Sequence, residues 1–485
     1  MDGKLTDLEP VRIEAGELTG ENTLNPYLQG FYEGTNRETT ALDLEVIGEI
    51  PKDLHGGYYR NGPNPVRAPS DMHHWFDGDG MLHGILFEDG KAQYRNRFVR
   101  TDDFIAEQNG TLEAGGVMLP AHRNRPDKVY KDTANTDVIM HNGQLMALWY
   151  VSGTPVRVDP VTLDTIGNES FGGKLPRNVS AHSKVDPETG EFVFFDYSLY
   201  EPWMSFGVVN AKNELTNFQR VELPGPRLPH DMGLTKNYAI LHDLPVIFSE
   251  SGMRKSMWNI TNSGEPARFG VVPRNGTGDQ IRWFETEPCY IYHVINSWEE
   301  GDEVIMAACK MVPNGLAKDP KYGPYAAHVN VMALHAVPVE WRMNMRTGEI
   351  KMRQLDDRIG EFPVINLDYA AKKTRWSYHV SMAPTDLQKF DGMIKYDLIT
   401  GDAVEHKYEP GVYGSEPAFA PRIGAKGEDD GYVVVFVTDE ASRTSEARII
   451  DARNFDAGPV ARVLLPARVP AGFHGTWVRG DQLVA

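Results

Sequence analysis

What most limits the folds open to this chain is a rhythm of short apolar runs, each ended by a tight turn, with no long helical period between them. Residues 42–50 alternate apolar and polar side chains as a half-buried strand does. Strand-like runs recur at 84–88, 137–140, 145–150, 192–195, 303–306 and 432–437. Asn142-Gly143 separates two of them, and this dipeptide favours a two-residue hairpin because both residues tolerate positive φ. Three more turns share one form, Asp or Asn followed by Thr-Gly three residues on. They are Asp186-Pro187-Glu188-Thr189-Gly190, Asn344-Met345-Arg346-Thr347-Gly348 and Asp397-Leu398-Ile399-Thr400-Gly401, with Asp159-Pro160-Val161-Thr162-Leu163 a relative. Repeated turn-and-hairpin units predict a large all-β fold and, within that class, a β-propeller. The repeat is too imperfect to count blades.

A chain of 485 residues is long enough for about two to four average domains, but an all-β architecture can use that length as one unit. We read residues 1–485 as a single domain whose first 40 residues, polar and punctuated by Pro and Gly, form an arm over the body. The stretch from Pro313 to Pro338 reads as an insertion covering one face, and residues 119–122 as loop. The balance of Lys+Arg 49 against Asp+Glu 68, net −19, argues against nucleic acid and against electrostatic anchoring on anionic lipid. Only Cys289 and Cys309 are present, which excludes a disulfide scaffold and a cysteine-ligated metal cluster. The acidic N-terminus has no apolar core of a signal peptide, and no apolar run reaches about 18 residues. The expected location is cytoplasmic.

The chemistry lies in the histidines. Near the C-terminus, His474 stands in Ala471-Gly472-Phe473-His474-Gly475-Thr476-Trp477, after the strand-like run 463–465. Three others occupy comparable settings: His182 in Ala181-His182-Ser183, His230 in Leu228-Pro229-His230-Asp231, and His293 in Tyr290-Ile291-Tyr292-His293-Val294. We read these four as converging on one metal. The chain has 15 histidines, so most have ordinary packing roles; His73, His74, His83 and His242 are assigned there. No competing constellation appears: no His-Glu-x-x-His, no Gly-x-Ser-x-Gly, no phosphate-binding glycine loop. Phe76-Asp77-Gly78-Asp79-Gly80 has a calcium-like look but lacks the other oxygen ligands, so it is read as a tight turn.

These motifs, taken in order, resemble the carotenoid cleavage oxygenases. The resemblance rests on Tyr59-Arg60-Asn61-Gly62-Pro63-Asn64-Pro65, His74-Trp75-Phe76-Asp77-Gly78-Asp79-Gly80-Met81, Ala134-Asn135-Thr136 and Ser180-Ala181-His182. It continues through Leu228-Pro229-His230-Asp231-Met232, Tyr292-His293-Val294-Ile295-Asn296-Ser297-Trp298, Glu361-Phe362-Pro363, Ser415-Glu416-Pro417 and Phe473-His474-Gly475, from about residue 40 to the C-terminus. It implies a seven-bladed β-propeller with iron(II) on its axis, capped by loops and short helices that form a substrate tunnel. It also implies that His182, His230, His293 and His474 ligate the iron, with Glu361 and Glu416 behind them fixing imidazole tautomers. The family's third such glutamate falls at Tyr150, which is neutral at pH 7. The expectation is therefore an iron held less tightly or at a raised potential.

By the same resemblance, the stilbene-cleaving branch grips its substrate's phenol with a Lys that falls here at Trp149 and a Tyr that falls within Gly116-Val117-Met118. Both halves of that clamp are absent. Lys131 is the one conceivable replacement, and it is read as a surface lysine. Trp149 and Phe76 suit the wall of a tunnel for an apolar polyene. The implied activity is oxidative cleavage of one C=C bond of a carotenoid or apocarotenoid by O2 into two carbonyl products, with no organic cofactor. Stilbene or 4-vinylphenol-type alkenes are the alternative substrates; an isomerohydrolase-like enzyme or a non-catalytic propeller are the readings from other classes. Uptake of a lipid-soluble substrate implies at most a weak membrane contact.

Overall fold

Each Asx-x-x-Thr-Gly segment closes a hairpin with the same set of bonds, which explains the recurrence of its residues. In Asn344–Gly348 the Asn344 side chain accepts from the amides of Arg346 and Thr347 (3.0 and 2.8 Å), and the Gly348 amide donates to the Asn344 carbonyl (2.9 Å). The Thr347 hydroxyl then accepts from the Glu349 amide at 3.3 Å. Asp397–Gly401 and Asp186–Gly190 repeat the scheme, with Gly348, Gly401 and Gly190 at φ 82, 83 and 69°. In Asp159–Leu163 a leucine takes the last position at φ 61°. The predicted Asn142-Gly143 hairpin is present, with both residues at positive φ (48 and 75°) between Asp137–His141 and Gln144–Leu148.

The computed structural model describes residues 6–7, 24–35, 37–66, 73–111, 130–255, 261–312, 319–326, 329 and 334–483. These hairpins stack into seven antiparallel sheets of four or more strands, the seven blades of a propeller. Both ends of the chain close the ring. The C-terminal strand Gly475–Arg479 is the innermost strand of the first blade, paired with Gly56–Asn64 (Gly475 opposite Arg60). The early strand Val46–Gly48 is the outermost of the seventh, paired with Pro459–Leu464 (Val46 opposite Val463). The run at 42–50 is therefore strand only over Val46–Gly48, an exposed edge that ends at Gly48, where φ is 89°.

Closure is locked by the motif residues. The Asn61 amide donates to the His474 carbonyl (2.8 Å), the Phe473 amide to the Asn61 carbonyl (2.9 Å), and the His474 amide to the Thr136 carbonyl (3.1 Å). Asn61 Nδ2 donates to the carbonyls of Ala134 and Asp137. Gly472 is required because a Cβ there would lie 1.3 Å from the buried Arg60 guanidinium, which donates to the Pro470 carbonyl at 3.0 Å.

Residues 24–35 lie over one face and bury Tyr27, Phe31 and Tyr32 against Trp75 and Phe473. The remainder of the expected arm up to residue 23, except 6–7, lies outside the described residues. So do 116–118, 119–122 and, within the 313–338 stretch, 313–318, 327–328 and 330–333; Pro320–Tyr325 forms short 3-10 turns. Among the described residues the α-helices are short, Asp102–Gln108 and Glu250–Lys255, and no helix is long and apolar enough to cross a membrane.

Candidate metal centre

Every innermost strand brings one functional side chain toward the propeller axis. His474 directly precedes Gly475–Arg479 of the first blade, and Asp137 opens Asp137–His141 of the second. His182 lies just before Lys184–Val185 of the third, and His230 just before Gly233–Leu234 of the fourth. His293 lies in Ile291–Glu300 of the fifth and Glu361 in Gly360–Val364 of the sixth. Glu416 bridges Val412–Gly414 and Ala418–Pro421 of the seventh. The backbone is bent to do this: His182, His230 and Phe362 sit at φ 62, 66 and 50°, left-handed conformations that cost about 1–2 kcal/mol for a residue with a Cβ. Such outliers persist where surrounding bonds over-determine them. Here the His182 amide donates to Asp137 Oδ2 (3.1 Å), and Asp231 accepts from the amides of Met232 and Val294 (2.6 and 2.7 Å).

The four imidazoles touch. Ring centroids of His182 lie 4.8, 4.9 and 4.4 Å from those of His230, His293 and His474, and His293 lies 4.6 Å from His474 and 5.2 Å from His230. Carboxylates stand behind three of them, each from a neighbouring blade. His293 Nδ1 is 2.5 Å from Glu361 Oε2, His474 Nδ1 is 3.0 Å from Glu416 Oε1, and His182 Nδ1 is 3.4 Å from Asp137 Oδ2. Holding Nδ1 in this way turns Nε2 inward. Nε2 of His182 and of His293 are buried with no hydrogen-bond partner, and one nitrogen each from His182, His293 and His474 lie within 4.8 Å of one another. Converging, unpaired imidazole nitrogens fit a divalent transition-metal ion, and the donor set is the nitrogen type such ions favour. His230 is the fourth ring of the group, stacked edge-on with Tyr292 (4.8 Å).

The electrostatics agree. Burial, then mutual repulsion and Lys184, hold His182, His230 and His293 neutral, well below the usual imidazole range, so each keeps a lone pair to donate. His474 is raised: burial opposes its charge, but the adjacent Glu416 outweighs it. Burial also lifts the carboxyls, Glu361 to about 8 and Glu416 upward, against the Phe362 amide and His474 respectively. A dication among the histidines would restore their charge.

Tyr150 is buried with its ring 6.2 Å from that of His230, and burial drives its phenol far above 10, so it brings no charge. The sequence reading missed Asp137, which brings a carboxylate to His182 instead. Its signal was available: an acidic residue directly after Ala134-Asn135-Thr136. Lys131 corrects an expectation. It is 5% exposed, not a surface residue, and pairs with Asp79 (2.7 Å) and Glu107, both also buried. Asp77 and Asp79 are likewise structural: Asp77 accepts from the His74 amide at 3.1 Å, closing the 3-10 turn Trp75–Asp77.

Two cavities meet at the histidines. One, about 280 Å³, runs along the axis past Asp137, Lys184, Asp231 and Glu416 and has a mixed lining of charged and apolar side chains. The other, about 30 Å³, lies on the opposite side and is walled by Phe76, Tyr150, Tyr292, Phe362 and Phe473 among others. Phe76 is thus in the wall, while Trp149 packs behind Tyr150 and against Tyr130 (6.1 and 6.0 Å).

The family model of the retinal pigment epithelial membrane protein matches residues 32–479. A carotenoid 9,10(9',10')-cleavage dioxygenase 1 of Phaseolus vulgaris is 35% identical over 94% of this chain and 90% of its own length. An isoeugenol monooxygenase of Pseudomonas nitroreducens is 30% identical over 94% and 98%. Among solved structures, the lignostilbene dioxygenase of Pseudomonas brassicacearum superposes with a TM-score of 0.83 at 26% identity, over 94% of this chain and 99% of that one. A cobalt-substituted apocarotenoid oxygenase of Synechocystis gives 0.81 at 25% identity, over 94% and 99%.

Proposed function

The chain belongs to the retinal pigment epithelial membrane protein family, that of the carotenoid cleavage oxygenases, and from that membership we propose that it is an iron(II)-dependent dioxygenase splitting one C=C bond of a carotenoid or apocarotenoid. O2 and the alkene are the substrates and two carbonyl compounds the products. Residues 1–485 act as one propeller domain. His182, His230, His293 and His474 hold the iron, with Glu361 and Glu416 keeping the imidazole Nδ1 protons in place. A ferrous ion held there would activate O2, which closed-shell side chains cannot do, and the alkene carbons would supply the electrons as one C=C bond becomes two C=O bonds. The single observation carrying the proposal is the cluster of four buried imidazoles, with the Nε2 atoms of His182 and His293 unpaired and one nitrogen each of His182, His293 and His474 converging.

The protein's own work is positioning. Phe76, Phe362 and Phe473 present an apolar wall beside the histidines, suited to the flat face of a conjugated double bond. Tyr150 completes that wall and stays neutral, with Trp149 packed behind it. The relatives named for carotenoid cleavage favour the polyene. A second reading, cleavage of a phenylpropanoid alkene, is favoured by the isoeugenol monooxygenase relative, whose identity is nearly as high.

The test is anaerobic reconstitution with Fe(II), then aerobic turnover of an apocarotenal and of 4-hydroxystilbene under labelled O2, with products identified by mass spectrometry. Labelled aldehydes from the polyene are expected. Labelled products from the stilbene alone move the substrate to the second reading, and intact substrate with iron bound refutes alkene cleavage.

A further inference from the structure

One residue in the small cavity's wall is out of keeping with its neighbours. Apart from the histidines and Thr136 the cavity is lined by aromatic and apolar side chains, Trp75, Phe76, Tyr292, Phe362 and Phe473 among them, yet Gln388 lines it as well. Gln388 is 8% exposed, and both its side-chain Oε1 and its Nε2 are buried without a hydrogen-bond partner. The loop that carries it, between Trp376–Met382 and Phe390–Asp397, is fastened rather than adrift: the Tyr32 hydroxyl donates to the Gln388 carbonyl. The backbone is therefore satisfied while the amide at the end of the side chain is not.

A buried primary amide with neither bond made is a liability to the fold, since it has given up its water for nothing. A leucine or methionine would fill a similar volume without that loss. The amide makes physical sense if the cavity's usual occupant brings the missing partner.

We propose that Gln388 is a substrate-specificity residue whose amide pairs with a hydroxyl or carbonyl oxygen carried by the alkene. An amide offers a donor and an acceptor side by side, so it can donate to a carbonyl, or donate to and accept from a hydroxyl. A hydrocarbon alkene would leave both atoms unpaired, and a site built around such a bond discriminates strongly against the analogue that lacks it. This rests on the proposed alkene-cleaving function and narrows its substrate to oxygenated alkenes.

The test uses iron-loaded protein under anaerobic conditions, with binding followed by tryptophan fluorescence. Two matched pairs serve as probes: an apocarotenal and its parent hydrocarbon, and isoeugenol and the same alkene without ring oxygens. The wild type should bind the oxygenated member of at least one pair about tenfold more tightly or better. Gln388→Leu, or Gln388→Met should the first fail to fold, should bring that ratio near one by weakening the oxygenated member alone. The substrate-free variant should also unfold at higher denaturant than the wild type, because two unpaired polar atoms are gone. A wild-type ratio near one in both pairs, as expected if only an ordered water meets the amide, overturns the proposal, as does a ratio that survives both variants. Aerobic turnover of the same pairs separates the two readings. Cleavage with no oxygen preference removes only the role of Gln388, whereas Gln388-dependent binding with no cleavage of either pair removes the alkene-cleaving function.

Discussion

Replacing Glu361 by glutamine keeps the shape of the side chain and one acceptor for His293 but deletes a negative charge 2.5 Å from the imidazole, at a carboxyl with no solvent exposure. Glu416→Gln does the same at 3.0 Å and 5% exposure, and Asp137→Asn at 3.4 Å and 13%. Charge interactions weaken with distance and with contact to water, so the three substitutions should fall in that order. Removing such supporting groups lowers metal affinity by about 10–100-fold, roughly 1.4–2.7 kcal/mol. Glu361→Gln belongs near the upper end of that range and Glu416→Gln within it. Asp137→Asn belongs at about tenfold or less, because Asp137 Oδ2 also accepts from the His182 amide at 3.1 Å and is partly hydrated. The assay is anaerobic competition for Fe(II) against a chromophoric chelator, with urea unfolding of each metal-free variant as the control for lost structure. An Asp137→Asn effect as large as that of Glu361→Gln would refute the reasoning. So would three equal effects.

Three further outcomes are expected. Tyr150→Glu places a carboxylate beside His230, and Fe(II) affinity by the same competition should rise about tenfold; unchanged affinity would mean that position 150 does not communicate with the metal. Lys131→Met removes the buried cation that pairs with the buried carboxylates of Asp79 and Glu107, and urea denaturation at neutral pH should show a loss of about 3–5 kcal/mol. Burial lowers His379 to about 3, with Ser377 bonded to its Nε2 at 2.9 Å. Its neutral form is what the fold prefers, so the stability it supports is complete above the unfolded value of 6.5 and is lost as pH falls from there toward 3. His379→Gln should therefore reduce the loss between about pH 7.5 and pH 5 by about 2 kcal/mol in urea titrations at the two pH values.

Much of this was written locally. The Asx-x-x-Thr-Gly turns and the Asn142-Gly143 turn are closed by bonds between near neighbours in the chain, so the sequence alone determined an all-β chain of repeating hairpins. The positions of His182, His230, His293 and His474 were also legible, because each lies just before or just inside the start of a short strand. What the sequence could not determine is which side chains meet across blades. Asp137 reaches His182 over 45 residues and Glu416 reaches His474 over 58, and both pairings depend on the angle between adjacent sheets. Lys131 looked like any surface lysine until folding set the Asp79 turn and the Asp102–Gln108 helix on either side of it. Gln388 was silent for the same reason. An amide is ordinary in a loop, and only the aromatic walls brought around it from several parts of the ring make its two unpaired atoms significant. Local hydrogen bonds carry their own address in the chain; burial and charge pairing belong to the assembled ring.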